Sequence, residues 1–315
     1  MEKIWCEKYR PLVFKDIIGQ KPIVDKIKAM VEKKNLPHQL YVGPAGVGKT
    51  SLILVVSHEL YGDSWQENIL ELNASDTRGI DVIRNEVKNF ARTKSLTGVP
   101  KICILDEADS LTKEAQQALR RTMEKFSNSC RFCLLANYSS KIIEPIQSRC
   151  AVFRFKPLVK EEINKIITNV ADNENLKIGN KAIDALFEIS EGDVRKIYNI
   201  LQSCSSISKE ITNELIYEMV SFANPKEVKK ILENAVSGDF IKSREKLLKL
   251  MLEAGLSGTD IIKQVQREIW ELDIENDNKL KLIEKCAEIE FRMVEGADEF
   301  IQLEALLSQF VLLGK

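Results

Sequence analysis

The sequence has no long apolar run, no strong net charge and no internal repeat. No apolar stretch approaches the length of a membrane-spanning helix, and the first residues do not have the pattern of a secretory signal. The formal net charge is −1, so a nucleic acid would have to be bound by a local basic patch and not by the field of the whole protein. We therefore expect a soluble, globular protein that is not inserted in a membrane.

The seven cysteines do not follow the spacing of a disulfide framework or of a zinc site. Cys130 and Cys133 form a single C-x-x-C with no second pair and no histidine nearby, whereas zinc needs four converging ligands. On a strand these two side chains point to opposite faces. We expect both to pack in a core as reduced thiols, in an intracellular, reducing compartment.

Short apolar runs alternate with helical patterns in the first half of the chain. A chain of 315 residues is too long for one ordinary core, so two or three domains are expected. Alternation of buried strands with helices is typical of a parallel sheet that is covered on both faces. The five predicted strands are 39–43, 69–74, 101–107, 131–137 and 151–155.

The pattern changes after Pro157, where no further strand is predicted and the apolar spacing becomes helical. Asn224 and Pro225 mark a break before another helical block. The expected organisation is an α/β domain over 1–157, a small helical domain over 158–223 and a helical C-terminal domain over 224–315.

The segment GPAGVGKT at 43–50 follows a predicted strand and opens a helix, and it fits the P-loop pattern G-x-x-x-x-G-K-[ST]. Its glycines permit the backbone angles that aim N–H groups at phosphate oxygens. Lys49 would reach the terminal phosphates, and Thr50 would offer a hydroxyl to Mg²⁺. The predicted phosphate-binding residues are Gly43, Pro44, Ala45, Gly46, Val47, Gly48, Lys49, Thr50 and Ser51.

The segment ICILDEAD at 102–109 places carboxylates at the end of a buried strand, where ligands bind in open α/β sheets. Asp106 would hold Mg²⁺, and Glu107 would orient the attacking water. A second acid beside the first distinguishes a hydrolase from a protein that only binds nucleotides. The alternative is a solvated acidic turn, which the P-loop upstream disfavours.

Two polar residues have roles that the pattern leaves open. Asn137 ends a strand and would position the same water or contact the γ-phosphate, but asparagine also commonly ends strands as a turn former. Arg195 follows Asp193, which is placed to cap a helix. It lies about 100° from the stripe formed by Val194, Ile197 and Leu201, so it would project over phosphates or simply into solvent. Periodicity alone favours solvent.

A basic stripe occurs in the helical segment 79–95. Its charged members recur every four residues, and Gly79 near the helix start would leave N–H groups for another phosphate. Contacts of this kind carry no base information. Considered alone, such a stripe is more often a solvated face. The apolar face consists of Ile80, Ile83, Val87 and Phe90, and the basic stripe of Arg84, Lys88 and Arg92.

Several motifs in order make the chain resemble the small subunit of replication factor C, the AAA+ clamp-loader family of archaea and eukaryotes. The resemblance spans nearly the whole chain. It is carried by WCEKYRP, FKDIIGQ, LPHQLYVGPAGVGKTS, ELNASDTRGIDVIR, ILDEADSLTKEAQQALRRTMEK, QSRC and GDVRKIYNILQ. One departure is Ala45, where the family usually has a second proline, and it should not disturb phosphate binding.

The resemblance implies an AAA+ P-loop domain with a parallel five-stranded sheet, then a helical lid domain and an all-α C-terminal collar domain. It implies that Asn137 is sensor 1 and Arg195 is sensor 2. It also assigns the basic stripe to a surface that follows DNA, which reverses the interpretation from periodicity. The adenine pocket would be lined by Tyr9, Arg10, Pro11, Ile17 and Ile18.

The resemblance further implies that Arg149, in QSRC, is an arginine finger that reaches the ATP of a neighbouring subunit. Either Arg120 or Arg121 would cross the same interface. The expected partners are copies of this chain and a distinct large subunit in a five-subunit ring, a PCNA-type sliding clamp and primer–template DNA. The location would be cytoplasmic in an archaeon and nuclear in a eukaryote.

The expected activity is a DNA-stimulated ATPase that uses ATP and Mg²⁺ to load the clamp. One alternative is another AAA+ protein, for branch migration or origin loading. An initiator would have a C-terminal winged helix, and residues 225–315 show no β-ribbon. A second alternative is a scaffold subunit that binds ATP without hydrolysing it, against which Glu107 and Arg149 argue.

Overall fold

The computed structural model describes residues 3–75, 83–95, 98–220 and 224–314. The chain forms two compact units. The first unit consists of Met1–Lys177 and Ser190–Gln202, and the second of Ile178–Ile189 and Ser203–Lys315. The predicted domain boundaries at 157 and 223 stay a prediction.

A parallel five-stranded sheet forms the centre of the first unit, in the order β2-β3-β4-β1-β5. This confirms the predicted α/β fold with a five-stranded sheet. The three inner strands are buried almost throughout, because helices cover the sheet. The strands are β1 (His38–Val42), β2 (Ile69–Asn73), β3 (Lys101–Asp106), β4 (Cys130–Ala136) and β5 (Cys150–Arg154).

Apolar side chains at helical spacing dock helices on this sheet. Ala115, Leu119 and Met123 are fully buried on the helix Lys113–Lys125, which Thr112 caps by accepting a hydrogen bond from the Ala115 N–H at 3.2 Å. Among the described residues of this unit, the other α-helices begin and end at Trp5–Lys8, Lys21–Glu32, Lys49–Tyr61, Lys88–Arg92, Glu144–Gln147, Lys160–Glu174 and Val194–Ser205. Its short 3₁₀ and π turns are Phe14–Asp16, Gly62–Asn68, Ile83–Val87, Ala108–Ser110 and Ser139–Lys141.

The second unit is built from helices around its own apolar core, which includes Leu232, Leu282 and Phe310. Between 224 and 314 every element is helical. Several helices begin with a side-chain cap, for example Asn224, which accepts from the Lys226 N–H at 3.1 Å. The helices are Asn180–Ser190, Asn213–Val220, Pro225–Val236, Phe240–Ala254, Gly258–Glu268, Ile269–Glu271, Asn276–Val294 and Glu299–Leu313.

The prediction that strands stop after Pro157 is wrong at two places. Lys177–Ile178 and Glu210–Ile211 form a two-stranded sheet. Strands of two residues leave no alternation of apolar and polar positions, so the sequence pattern does not reveal them.

The cysteines are free thiols. Cys130 and Cys133 are both buried on β4, as expected for core residues. None of the helices in the described part of the chain is long and apolar enough to cross a membrane.

Candidate functional site

The phosphate loop connects β1 to the helix Lys49–Tyr61. Gly46 and Gly48 have φ angles of 66° and 93°, which residues other than glycine rarely adopt. Gly48 is the last residue before the helix, so the first N–H groups of that helix face the loop. A helix N-terminus that follows a glycine-rich turn is a site for anions. The backbone has the form that the sequence predicts for a phosphate site.

A second helix touches this loop through backbone atoms. The Val194 N–H donates to the Gly46 carbonyl at 3.1 Å. A Cβ atom on Gly46 would lie 1.7 Å from Asp193 Oδ1, so only glycine permits this approach. The same carboxylate caps the helix Val194–Ser205 by accepting from the N–H groups of Arg195 at 2.9 Å and Lys196 at 3.2 Å.

Lys49 lies at the centre of the site, with its side chain buried. Its ammonium group donates to the carbonyls of Gly43 at 2.6 Å and Pro44 at 2.7 Å, and to Asn137 Oδ1 at 3.0 Å. Burial lowers the pKa of Lys49, and the positive charge of Arg195 lowers it further. The carboxylates of Asp106, Asp109 and Asp193 oppose this pKa shift.

Two oxygens suited to a hard cation meet beside the lysine. Thr50 Oγ1 donates to Asp106 Oδ2 at 3.1 Å, which joins the start of the helix to the carboxyl end of β3. Hydroxyl and carboxylate oxygens are ligands that Mg²⁺ accepts. A separation close to hydrogen-bond length suits two oxygens that share one ion, so Thr50 and Asp106 fit the predicted magnesium site.

Glu107 directly follows β3 with a left-handed backbone, φ 51°. Its N–H donates to Asp106 Oδ1 at 2.8 Å. Non-glycine residues in this conformation are uncommon and occur often at functional sites. The turn thus joins the backbone of Glu107 to the carboxylate of Asp106.

Asp109, for which no role was predicted, also lies at this edge of the sheet. Its Oδ2 accepts from the N–H groups of Asn137 at 3.3 Å and Tyr138 at 3.2 Å. These bonds join the turn after β3 to the end of β4. They hold the backbone of Asn137 in place, so that its side-chain oxygen lies beside Lys49. The signal in the sequence was the second aspartate of DEAD, three residues after Asp106.

The predicted adenine-binding residues differ in their contacts and in their burial. The Tyr9 hydroxyl donates to Glu174, and its ring stacks on Tyr198 with centroids 5.7 Å apart. Burial and the Glu174 carboxylate raise the pKa of Tyr9. Arg10 pairs with Glu7. The remaining members, Pro11, Ile17 and Ile18, are half-buried.

Arg149 lies where the parallel strands begin, at what we call the amino edge of the sheet. The phosphate loop lies where the strands end, at the carboxyl edge. Arg149 precedes β5, and β5 runs parallel to β1 with Cys150 level with His38, whereas the loop follows the far end of β1. A strand of five residues spans roughly 16 Å. In the described part of the chain the polar partners of its guanidinium are Glu124, Pro145 and Ser148, none of which belongs to the phosphate site.

The basic stripe is only partly described. Gly79 and Ile80 lie outside the described residues, as does the side chain of Arg84. Lys88 and Arg92 are exposed, whereas Val87, just before Lys88, is buried in the core. Ile83–Val87 forms a π turn, and the α-helix Lys88–Arg92 follows it directly.

Three protein families match consecutive parts of the chain. The ATPase family associated with various cellular activities (AAA) matches residues 39–158. The RFC1-like, AAA+ ATPase lid domain matches residues 160–217, and the replication factor C C-terminal domain matches residues 223–309.

Among solved structures, the RuvB Holliday junction branch migration motor of Thermotoga maritima is similar, with a TM-score of 0.55 and 19% identity over 72% of this chain and 79% of that chain. A second structure, of a point mutant of the same RuvB protein, has a TM-score of 0.57, also at 19% identity, and covers 73% of this chain and 80% of that chain. At this identity the likeness concerns the fold alone.

Similarity to curated relatives covers the whole chain. The replication factor C small subunit of Methanococcus maripaludis strain S2 is 50% identical over 314 residues, which are 99% of this chain and 100% of the relative. That of Sulfurisphaera tokodaii is 50% identical over 317 residues, which are 100% of this chain and 97% of the relative. With its AAA domain, lid and helical C-terminal domain, the chain belongs to the replication factor C small subunit family of AAA+ ATPases.

Proposed function

We propose that this chain hydrolyses ATP as a small subunit of a clamp loader, which opens a sliding clamp and places it on primer–template DNA. The observation that carries the proposal is the convergence of Lys49, Thr50, Asp106 and Asn137 at one edge of the sheet, with Glu107 beside Asp106. Membership of the replication factor C small subunit family supports it.

Each group at this edge would act on a different part of the nucleotide. The loop N–H groups and Lys49 would bind the phosphates, so the ammonium would exchange carbonyl partners for phosphate oxygens. Thr50 and Asp106 would hold Mg²⁺, which when bound neutralises phosphate charge. Glu107 would orient the attacking water, and Asn137, fixed by Asp109, would contact the water or the γ-phosphate.

The lid residue Arg195 would add positive charge on the other side of the phosphates. The hydrogen bond from the Val194 N–H to Gly46 and the close approach of Asp193 to Gly46 support this role as sensor 2. The adenine would be held by the segment of Tyr9, Arg10 and Pro11 together with Ile17 and Ile18, and phosphate binding does not depend on that assignment.

Arg149 would complete the site of a neighbouring subunit. Its place at the other edge of the sheet, about a strand length from its own phosphate loop, supports action between chains. There the planar guanidinium would stabilise charge on the transferring phosphate. The neighbours would be copies of this chain and a distinct large subunit in a five-subunit ring.

DNA would be bound through phosphates by Arg84, Lys88 and Arg92. The exposure of Lys88 and Arg92 supports this, and the net charge of −1 requires such a local patch. The clamp would be of the PCNA type. The seven free thiols fit a reducing compartment.

The test compares Lys49→Ala and Glu107→Gln in the assembled complex. We expect Lys49→Ala to abolish ATP binding, because a buried cation for the phosphates is lost. Glu107→Gln should keep ATP binding and stop hydrolysis, because the glutamate acts mainly on the attacking water. Glu114→Gln, on an exposed part of the first unit, is the matched control and should behave as the unmodified protein.

Equilibrium ATP binding and steady-state phosphate release, each with and without primer–template DNA and clamp, give the measurement. Hydrolysis that DNA and clamp stimulate would support coupling to loading. Native turnover in Glu107→Gln would contradict the proposed base. ATP binding without hydrolysis in the unmodified complex would favour the scaffold alternative.

A further inference from the structure

Three charged side chains form a cluster at the amino edge of the sheet, outside the phosphate site. Glu124 Oε1 pairs with Arg149 Nη2 at 2.6 Å and with Arg120 Nη1 at 3.3 Å. One carboxylate oxygen thus joins two guanidinium groups. Arg120 and Glu124 are four residues apart on the helix Lys113–Lys125, so they share a face, and Arg121 lies on another.

The guanidinium of Arg149 is held at both ends. Nη1 donates to the Pro145 carbonyl at 2.7 Å, while Nη2 contacts Glu124. Arg120 makes fewer hydrogen bonds than Arg149. Its Nε is buried and has no hydrogen-bond partner in the described part of the chain. Glu124 is therefore the group that holds the two arginines side by side.

The backbone that carries Arg149 is anchored to the same helix. Gln116 is buried and accepts from the Ile143 N–H at 2.8 Å, and its amide donates to the Lys141 carbonyl at 3.0 Å. Gln147 donates to the carbonyls of Ser139 and Ile142. The helix Lys113–Lys125 thus holds the segment before Arg149 through the buried amide of Gln116. It holds the guanidinium of Arg149 through Glu124.

Solvent exposure decides what this cluster contributes. The side chains of Arg149 and Glu124 are 37% and 41% exposed, and exposed ion pairs contribute little to folding. An arginine side chain free in solvent has considerable rotamer freedom, which it loses when it binds a phosphate. A carboxylate that holds the guanidinium beforehand reduces this loss, and it offsets the repulsion between the two cations.

We propose that Glu124 is a positioning residue, which holds Arg149 beside Arg120 as a two-guanidinium site for the triphosphate of a neighbouring subunit. The inference rests on the proposed function, in which Arg149 acts between chains. A phosphate oxygen would replace the Glu124 oxygen between the two arginines. Of the two candidates for a second arginine at the interface, the cluster selects Arg120.

The experiment measures kcat and KM for ATP in complexes that contain Glu124→Ala or Glu124→Gln. We expect Glu124→Ala to lower kcat roughly tenfold, less than the loss of the arginine itself, with KM nearly unchanged. Glu124→Gln keeps an oxygen that accepts one hydrogen bond, so it should give an intermediate kcat. Glu114→Ala on the same helix is the matched control.

A double mutant separates positioning from a structural effect. In the Arg149→Ala background, Glu124→Ala should cause a much smaller further loss, because most of its action passes through Arg149. Thermal unfolding and the mass of the complex should be the same for Glu124→Ala and the control.

Three results would overturn the inference. They are an unchanged kcat in Glu124→Ala, a raised kcat, which would mean that the carboxylate competes with phosphate, and an equal loss with and without Arg149. Lys49→Ala is measured in parallel. If Lys49→Ala retains full hydrolysis, the proposed function fails, whereas the three results above leave it intact.

Discussion

The two edges of the five-stranded sheet hold their polar side chains in different ways. At the carboxyl edge Lys49 is buried and bonded to backbone carbonyls and Asn137. At the amino edge Arg149 is exposed and bonded to Glu124 and one carbonyl. The first arrangement buries a cation, and the second presents a cation to solvent. One chain therefore carries the proposed nucleotide site and, about a strand length away, an exposed arginine that we propose acts on a neighbouring subunit.

The largest expected effect tests this separation directly. Arg149→Ala should bind ATP through its intact loop and yet lose hydrolysis by up to about 10³–10⁵-fold, the range known for fingers supplied by a partner. Lys49→Ala has the opposite defect. Placed side by side in the right order in one complex, the two mutant chains should rebuild one working site, which steady-state phosphate release measures.

Arg121→Ala serves as the control for loss of an exposed arginine and should retain hydrolysis. If the two mutants assemble and no arrangement restores any turnover, Arg149 does not act on a neighbour, and the two edges do not divide the work between chains.

A smaller effect concerns the packing of the carboxyl edge. Gly46→Ala combines a strained backbone angle with a collision at Asp193, so it should lower the free energy of unfolding by about 2 kcal/mol or more and weaken ATP binding. Gly255→Ala is the matched control, since its backbone is left-handed, with φ 62° and ψ 32°, but no atom lies within 4 Å of a new Cβ. It should cost only about 1 kcal/mol. Denaturant unfolding and nucleotide titration distinguish the two. Equal effects would show that the contact with Asp193 is unimportant.

The smallest effect sharpens the view of the amino edge, where His38 begins β1. Burial, and then the charge of Arg131, lower the pKa of His38 to about 4, against the opposing effect of a backbone hydrogen bond at Met123. Because the folded pKa lies below the unfolded value, protonation favours the unfolded state. Stability is retained above the unfolded pKa and lost as the pH falls towards about 4.

We expect about 2 kcal/mol less stability at about pH 5 than at about pH 7 from this group. His38→Asn keeps a hydrogen-bond acceptor but cannot titrate, so it should remove that part of the pH dependence. Denaturant unfolding at the two pH values measures it. The same slope in both proteins would assign the pH dependence to other groups.

Local patterns were sufficient for much of the fold and for the core of the site. The five strands, the P-loop and the acids after β3 depend on residues that are neighbours in sequence, so spacing reveals them. The role of Asp109 was missed because its partners, the N–H groups of Asn137 and Tyr138, come from another strand. The π turn at Ile83–Val87 was missed because it follows no apolar period.

The sequence by itself determined which chemical groups are available for a phosphate site. The glycines, Lys49 and the Asp106–Glu107 pair belong to short motifs, whose residues are neighbours in the chain. Only the tertiary structure decided where each group lies. The strand order β2-β3-β4-β1-β5 places Asp106 and Asn137 beside Lys49, and the parallel register of β1 and β5 places Arg149 at the other edge. It also selected Glu124 as the partner of Arg149. Such pairings depend on which elements become neighbours on folding, and no spacing along the chain encodes that.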